Sequence, residues 1–377
     1  MRRPMFRRRR LLAGMASGLL AGVTGPRTVQ ALPQRALRFP VDHGAHPDLR
    51  TEWWYVTGHA SSGEGPRARR FGFQVTFFRS RVEATQPLQS RFAAHQLVFA
   101  HAAVTDLQGR RLWHDQRIAR EGFDVVAART GDTDLRLRDW SFRRIDDAAT
   151  AANQGAQAET WLAQVNAGDF SLELRLRPTQ ALLLQGDQGL SRKGPDVAQA
   201  SYYYSLPQLA ASGRIGVQGQ TFDVTGRAWL DHEWSEALLH PDAVGWDWIG
   251  MNLLGGEALT AFRLRRADGS TLWSGGSFRT AAGALQIFTA NPNAVAFSPQ
   301  RWWTSAMTGT RYPVQWSVRT PVQTYMVKAM LEEQELDSRA STGAVYWEGL
   351  SEIFDADGRR LGQGYLEMTG YAQPLRL

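Results

Sequence analysis

The 377-residue sequence contains no cysteine, which removes disulfide bonds, thiolate nucleophiles and cysteine-ligated zinc or iron–sulfur sites together. Lysine is scarce: Lys193 and Lys328 are the only two, so a Schiff-base mechanism would rest on one of two positions. No Gly-x-Ser-x-Gly elbow occurs, and the glycine-containing loop 186–194 lacks the Gly-Lys-Ser/Thr ending of a phosphate loop. Lipase-type acyl transfer and nucleotide hydrolysis are thereby disfavoured. His232-Glu233 runs into Trp234-Ser235-Glu236, so the His-Glu-x-x-His zinc motif is missing too. No stretch reaches the roughly 20 consecutive apolar residues that span a bilayer.

The net charge of +7 is concentrated at one end. Residues 1–31 hold seven arginines, among them Arg7-Arg8-Arg9-Arg10, and no acid; taking these seven from the 43 basic residues leaves 36 against 36 acidic ones. Nucleic acid is therefore not an expected partner. The arginines precede a glycine-diluted apolar stretch and small residues ending at Ala31, the pattern of a twin-arginine secretory signal cleaved near that point. A periplasmic or secreted mature protein is expected.

The body reads as many short strands. Phe71, Phe73, Val75 and Phe77 alternate with Gly72, Gln74 and Thr76, and from Phe170 to Arg177 every even position is apolar. This period of two places one face in a core and the other in solvent. Hairpins are expected around Ala267-Asp268-Gly269 and around Asp355-Ala356-Asp357-Gly358. Helical candidates are confined to short pieces near 205–211 and 237–240. The expected class is all-β, in two units of 32–236 and 237–377, with 146–160 as a surface loop.

The chemistry-bearing residues cluster in Trp229-Leu230-Asp231-His232-Glu233-Trp234 and Trp246-Asp247-Trp248. In an extended chain Trp229, Asp231 and Glu233 share one face, while His232 shares the other with Leu230 and Trp234. A carboxyl among indole rings stays neutral to higher pH and can act as a general acid. The competing reading pairs Asp231 and Glu233 with arginines such as Arg227. A second cluster is Glu52-Trp53-Trp54-Tyr55, near His43 and His46; its plain reading is a strand end whose Glu52 meets an arginine. His95 and His101 sit about 20 Å apart along a strand and cannot share a metal. A metal built from His43, His46 or His232 has no further support.

Several ordered motifs resemble the AttH, or carotenoid 1,2-hydratase-like, family: Phe39-Pro40-x-Asp42-His43-Gly44-x-His46-Pro47, Glu52-Trp53-Trp54-Tyr55, Ala100-His101-Ala102-Ala103, Ser201-Tyr202-Tyr203-Tyr204-Ser205, Trp229 to Trp234, Tyr346-Trp347-Glu348-Gly349 and Gly364-Tyr365-Leu366-Glu367. The resemblance implies two tandem lipocalin-like antiparallel β-barrels and no cofactor. It also implies a lipophilic ligand, an isoprenoid or lipid, and an association with an ABC-transporter permease. The family's hydroxyneurosporene synthase branch adds water across the terminal double bond of an acyclic carotenoid. On that chemistry Asp231 or Asp247 is the expected acid, and His232 or Glu233 orients water. Glu52, Trp54, Trp229, Trp234, Trp246 and Trp248 then line the substrate, with no metal. The alternative is a non-catalytic lipid carrier.

Overall fold

A computed structural model describes residues 31–65, 68–146 and 159–375. Residues 1–30 and 147–158 lie outside the described residues, and with them the expected secretory signal and most of the expected surface loop.

The first sheet has 13 strands. They are β1 (Thr51–Ser62), β2 (Arg69–Arg81), β3 (Gln96–Asp106), β4 (Arg111–Arg120), β5 (Val126–Ala128), β6 (Asp134–Leu137), β7 (Trp140–Asp146), β8 (Glu159–Asn166), β9 (Phe170–Arg177), β10 (Leu183–Leu184), β11 (Leu190–Arg192), β12 (Ala200–Val217) and β13 (Gln220–Ala237). Their order is β4-β3-β2-β1-β13-β12-β9-β8-β7-β6-β5, and the sheet curls until β3 and β4 approach β5 and β6. The second sheet has 10 strands: β14 (Gly245–Leu253), β15 (Ala258–Arg265), β16 (Thr271–Arg279), β17 (Leu285–Asn291), β18 (Ala296–Thr304), β19 (Arg311–Arg319), β20 (Thr324–Ala329), β21 (Glu335–Ser338), β22 (Ala344–Phe354) and β23 (Arg360–Met368). Both expected hairpins form, as β15–β16 and β22–β23. The chain is thus an all-β protein of two lipocalin-like barrels.

The expected helical pieces are absent. Residues 205–211 lie inside β12, where Pro207 removes a ladder donor and Gln208 takes φ 56° at a register shift between Leu206 and Leu209. This apolar run is therefore a bulged strand. Residues 237–240 only close β13 and lead out of it.

Each barrel is filled by its own inward-facing side chains. Trp54, Trp140, Trp161 and Trp234 are almost wholly buried in the first core, and Trp316, Tyr312 and Trp347 in the second. The residues alternating with Phe71, Phe73, Val75 and Phe77 do not meet solvent, as the periodicity implied. They face the other barrel, and Gly72 shows how closely: a Cβ there would lie 2.8 Å from Tyr365 Oη and 2.9 Å from Leu350 Cβ. Gly72→Val is expected to wedge the barrels apart and cost about 1–3 kcal/mol. A lower thermal midpoint checks this, and an unchanged one would refute the close docking.

Candidate functional site

Because the barrel interiors are packed, the chamber lies between them rather than inside either. It has a volume of about 340 Å3 and is walled by the outer faces of β1, β2, β3, β12 and β13 on one side and of β14, β15, β22 and β23 on the other. Trp53, Phe78, Phe99, Trp246, Trp248, Phe262 and Leu264 give it an apolar, aromatic lining. Asp231, Glu233, Glu348 and Glu367 bring carboxyl groups to this lining, and Glu52 borders it as well.

The period of two in β13 selects which residues reach the cavity. Asp231 and Glu233 face it, opposite Tyr55 and Trp53 of β1. Asp231 is held by three donors: Trp229 Nε1 (2.7 Å) and Ser205 Oγ (2.5 Å) on Oδ1, and Tyr203 Oη (2.7 Å) on Oδ2. Burial pushes its carboxyl up to about 7 against those donors, with Glu233 adding repulsion. Glu233 is paired with Lys193, 2.9 Å away, and also accepts from Ser201 Oγ. Lys193 Nζ in turn lies 4.6 Å from the Tyr203 ring centre and 4.5 Å from that of Phe262.

The other two carboxyls come from the second barrel and were not among the residues expected from the sequence. Glu348 and Glu367 stand directly opposite one another on β22 and β23. Burial and mutual repulsion hold Glu348 well above the ordinary carboxyl range, while burial raises Glu367 to about 7 with Asp231 and Glu233 adding to it. Two like charges in facing positions cannot both ionise cheaply, so the pair retains a proton near neutrality. The available signal was the hairpin: once its turn is centred near 357, residues 348 and 367 fall opposite each other.

Tyr346 also borders the cavity, and its orientation is set by His101. Gln116 Nε2 donates to the Asp337 carbonyl, leaving Gln116 Oε1 to accept from Ser341 Oγ at 2.5 Å. His101 Nε2 must then donate to Ser341 Oγ (2.8 Å), and Nδ1 accepts from Tyr346 Oη (2.7 Å). Burial holds this imidazole neutral, down at about 3. Ser341 is thereby committed as a donor to Gln116, not poised as a nucleophile.

Other expected site residues lie elsewhere. His232 and Trp234 point into the first barrel, with Trp54 stacked on His232 at 4.5 Å. Asp247 also faces away from the cavity that Trp246 and Trp248 line. It is fully buried, 2.6 Å from Arg263 Nε and 3.1 Å from Arg265 Nε, and accepts from Tyr371 Oη at 2.9 Å. Neither His232 nor Asp247 can reach a molecule in the chamber. Trp229 meets it only through Asp231.

Glu52 borders the chamber, and its carboxylate anchors a buried network. Its Oε2 accepts from Arg79 Nε (2.8 Å), and Oε1 accepts from His46 Nδ1 (2.7 Å) and His232 Nε2 (2.9 Å). The arginine partner of the plain sequence reading is therefore present. His46 Nε2 lies 3.0 Å from Asp42 Oδ1, so both ring nitrogens face carboxylates and both carry protons; its pKa is raised accordingly, although burial opposes this. These hydrogen bonds lower Glu52 and Asp42 below the usual range despite their burial. The ligating atoms of His46, Glu52 and His232 lie within 4.8 Å of one another. A divalent ion does not fit them well, because Arg79 already neutralises Glu52 and the imidazolium of His46 neutralises Asp42. Adding two positive charges would leave the buried cluster uncompensated.

Comparison with known proteins agrees with this architecture. Residues 30–371 match the AttH-like family. A crystal structure assigned as AttH from Nitrosomonas europaea is 47% identical over 90% of this chain and 99% of that one, with a TM-score of 0.80. Kievitone hydratase from Nectria haematococca shares the fold at 12% identity, with a TM-score of 0.66 over 93% of this chain and 96% of that one. No curated protein sequence matches. The chain belongs to the AttH-like family.

Proposed function

We propose that this protein is a hydratase acting by acid–base catalysis on an unsaturated, largely apolar molecule held between the two barrels. The observation that carries this reading is the facing pair Glu348 and Glu367, kept partly protonated beside Asp231 in an aromatic chamber. The fold shared with a kievitone hydratase supports it.

In the proposed reaction Glu367 transfers its proton to one alkene carbon; a C–H bond forms as the O–H bond breaks, and the double-bond electrons leave a tertiary cation. The faces of Trp53, Trp246 and Trp248 stabilise that cation by roughly 0.5–2 kcal/mol each. Water attacks it, forming the C–O bond, and its surplus proton passes to Asp231, whose three donors favour the carboxylate. Proton return from Asp231 to Glu367 closes the cycle. Each proton-transfer group contributes about 10²–10⁴ in rate. The protein acts outside the cytoplasm on this reading, in keeping with its arginine-led N-terminus.

The test is incubation of acyclic isoprenoid alkenes with the protein in water enriched in ¹⁸O, followed by mass spectrometry. A product heavier by one labelled water is expected. Recovery of an unchanged lipid at unit stoichiometry, with no labelled product from any alkene, would overturn catalysis in favour of carriage, the role in which a permease partner belongs. Activity should peak near pH 7, falling above it as Glu367 loses its proton and below it as Asp231 gains one. A rate that climbs steadily from pH 6 to 9 would exclude a carboxyl acid.

A further inference from the structure

The chamber holds more polar equipment than a pure hydrocarbon could use. Tyr55 Oη, from β1, and Glu348 Oε1, from β22, are both buried with no hydrogen-bond partner, in side chains only 6% and 3% exposed. The two groups face each other closely enough that each perturbs the other's ionisation through a long side-chain contact, but no hydrogen bond of ordinary geometry closes between them. Both border the cavity, one from each barrel. The Tyr55 ring is fixed edge-on to Trp248 with centres 5.4 Å apart, so the hydroxyl cannot easily swing away to another partner.

Leaving a buried donor and acceptor unpaired is costly, and a site built around such groups discriminates strongly against ligands that cannot satisfy them. A ligand hydroxyl matches both, accepting from Tyr55 Oη while donating to Glu348 Oε1. A carbonyl would satisfy only the tyrosine, and an alkane neither.

We propose that Tyr55 and Glu348 form a hydroxyl subsite, so that the substrate is an apolar unsaturated alcohol rather than a bare hydrocarbon. This rests on the hydratase reading only for the word substrate; the subsite itself is a statement about binding.

Quenching of tryptophan fluorescence by farnesol, and by the same fifteen-carbon triene without its hydroxyl, provides the test. Wild-type protein should bind the alcohol at least about tenfold more tightly, the factor that corresponds to one well-made hydrogen bond. Tyr55→Phe should remove most of that preference while leaving the hydrocarbon's affinity within about twofold, and Glu348→Leu should do the same. Melting curves of both variants verify that they are folded. Equal affinity of wild-type protein for the two ligands would overturn the proposal, as a water bridging the gap equally in both complexes would produce. A uniform loss for both ligands in Tyr55→Phe would also overturn it. A protein that prefers the alcohol but never incorporates labelled water would sink the hydratase reading and leave the subsite standing.

Discussion

Replacing Arg79 by Met is expected to lower the free energy of unfolding by about 3–5 kcal/mol, the usual consequence of removing one partner from a buried ion pair. Arg79 is 1% exposed. Besides Glu52 it serves the carbonyls of His46 and Leu49 and the Gln96 side chain, each at 2.8 Å. Its loss removes the donor of two carbonyls and an amide and takes from Glu52 the guanidinium that balances its charge. Glu52→Gln should cost a comparable amount, since it leaves Arg79 and the His46 imidazolium without their shared counter-charge. Urea unfolding at pH 7 gives the values, with Arg214→Ala as the comparison. That arginine pairs with Glu173 in the open, where screening leaves little to lose, and its stability should be unchanged. A loss under about 1 kcal/mol for Arg79→Met would mean the network is not cooperative. The same region makes the fold acid-sensitive. His43, His101 and His232 are held by burial at about 3, 3 and 4. The unfolded chain, titrating near 6.5, binds more protons than the folded one below that pH. Stability fully present above pH 6.5 is therefore lost as pH falls toward 3. Asp231 and Glu367 act in the opposite sense, since their raised values favour the protonated fold between about 4 and 7.

Parity along a strand carried the sequence reading further than residue type did. It separates Asp231 and Glu233 from His232 and Trp234, and the structure separates them in the same way. Applied to Trp246-Asp247-Trp248, the same rule puts Asp247 on the face opposite both tryptophans, where it is found against Arg263 and Arg265. The expectation that Asp247 works beside those indoles gave weight to adjacency over alternation. Glu348 and Glu367 were harder to see, because each alone is one polar residue in an apolar strand. Only their register makes them a pair. What no strand pattern could reveal is that the outer faces of the barrels pack on one another. Gln74 and Thr76 look like solvent-facing residues in the alternation, and they become cavity wall only through a contact between segments nearly 300 residues apart. The chamber depends on contact between the two barrels, whereas the strands are local and each barrel core draws on its own half of the chain.

Glu367→Gln and Asp231→Asn should each reduce hydration about 10²–10⁴-fold on any alkene that wild-type protein hydrates. Glutamine at 367 keeps the shape but has no acidic proton, so the alkene is never activated. Asparagine at 231 keeps the shape but takes no proton from the attacking water. Because the two act at opposite ends of one proton cycle, the double variant should be scarcely slower than the worse single one. The comparison that gives these values meaning is Asp247→Asn. Its carboxylate is bound to Arg263, Arg265 and Tyr371 on the far face of β14, so the variant should melt earlier yet, where folded, turn over near the wild-type rate. Equal losses in Asp231→Asn and Asp247→Asn, after correction for the folded fraction, would show that activity tracks general integrity rather than the chamber. Stability offers a second reading of the same residue. Ionised Asp231 is disfavoured in the fold by an amount on the order of 4 kcal/mol above pH 7, given a value raised from 3.8 to about 7. A side chain that weakens its own fold, and that three neighbours are nonetheless arranged to hold, is better accounted for by proton transfer than by packing.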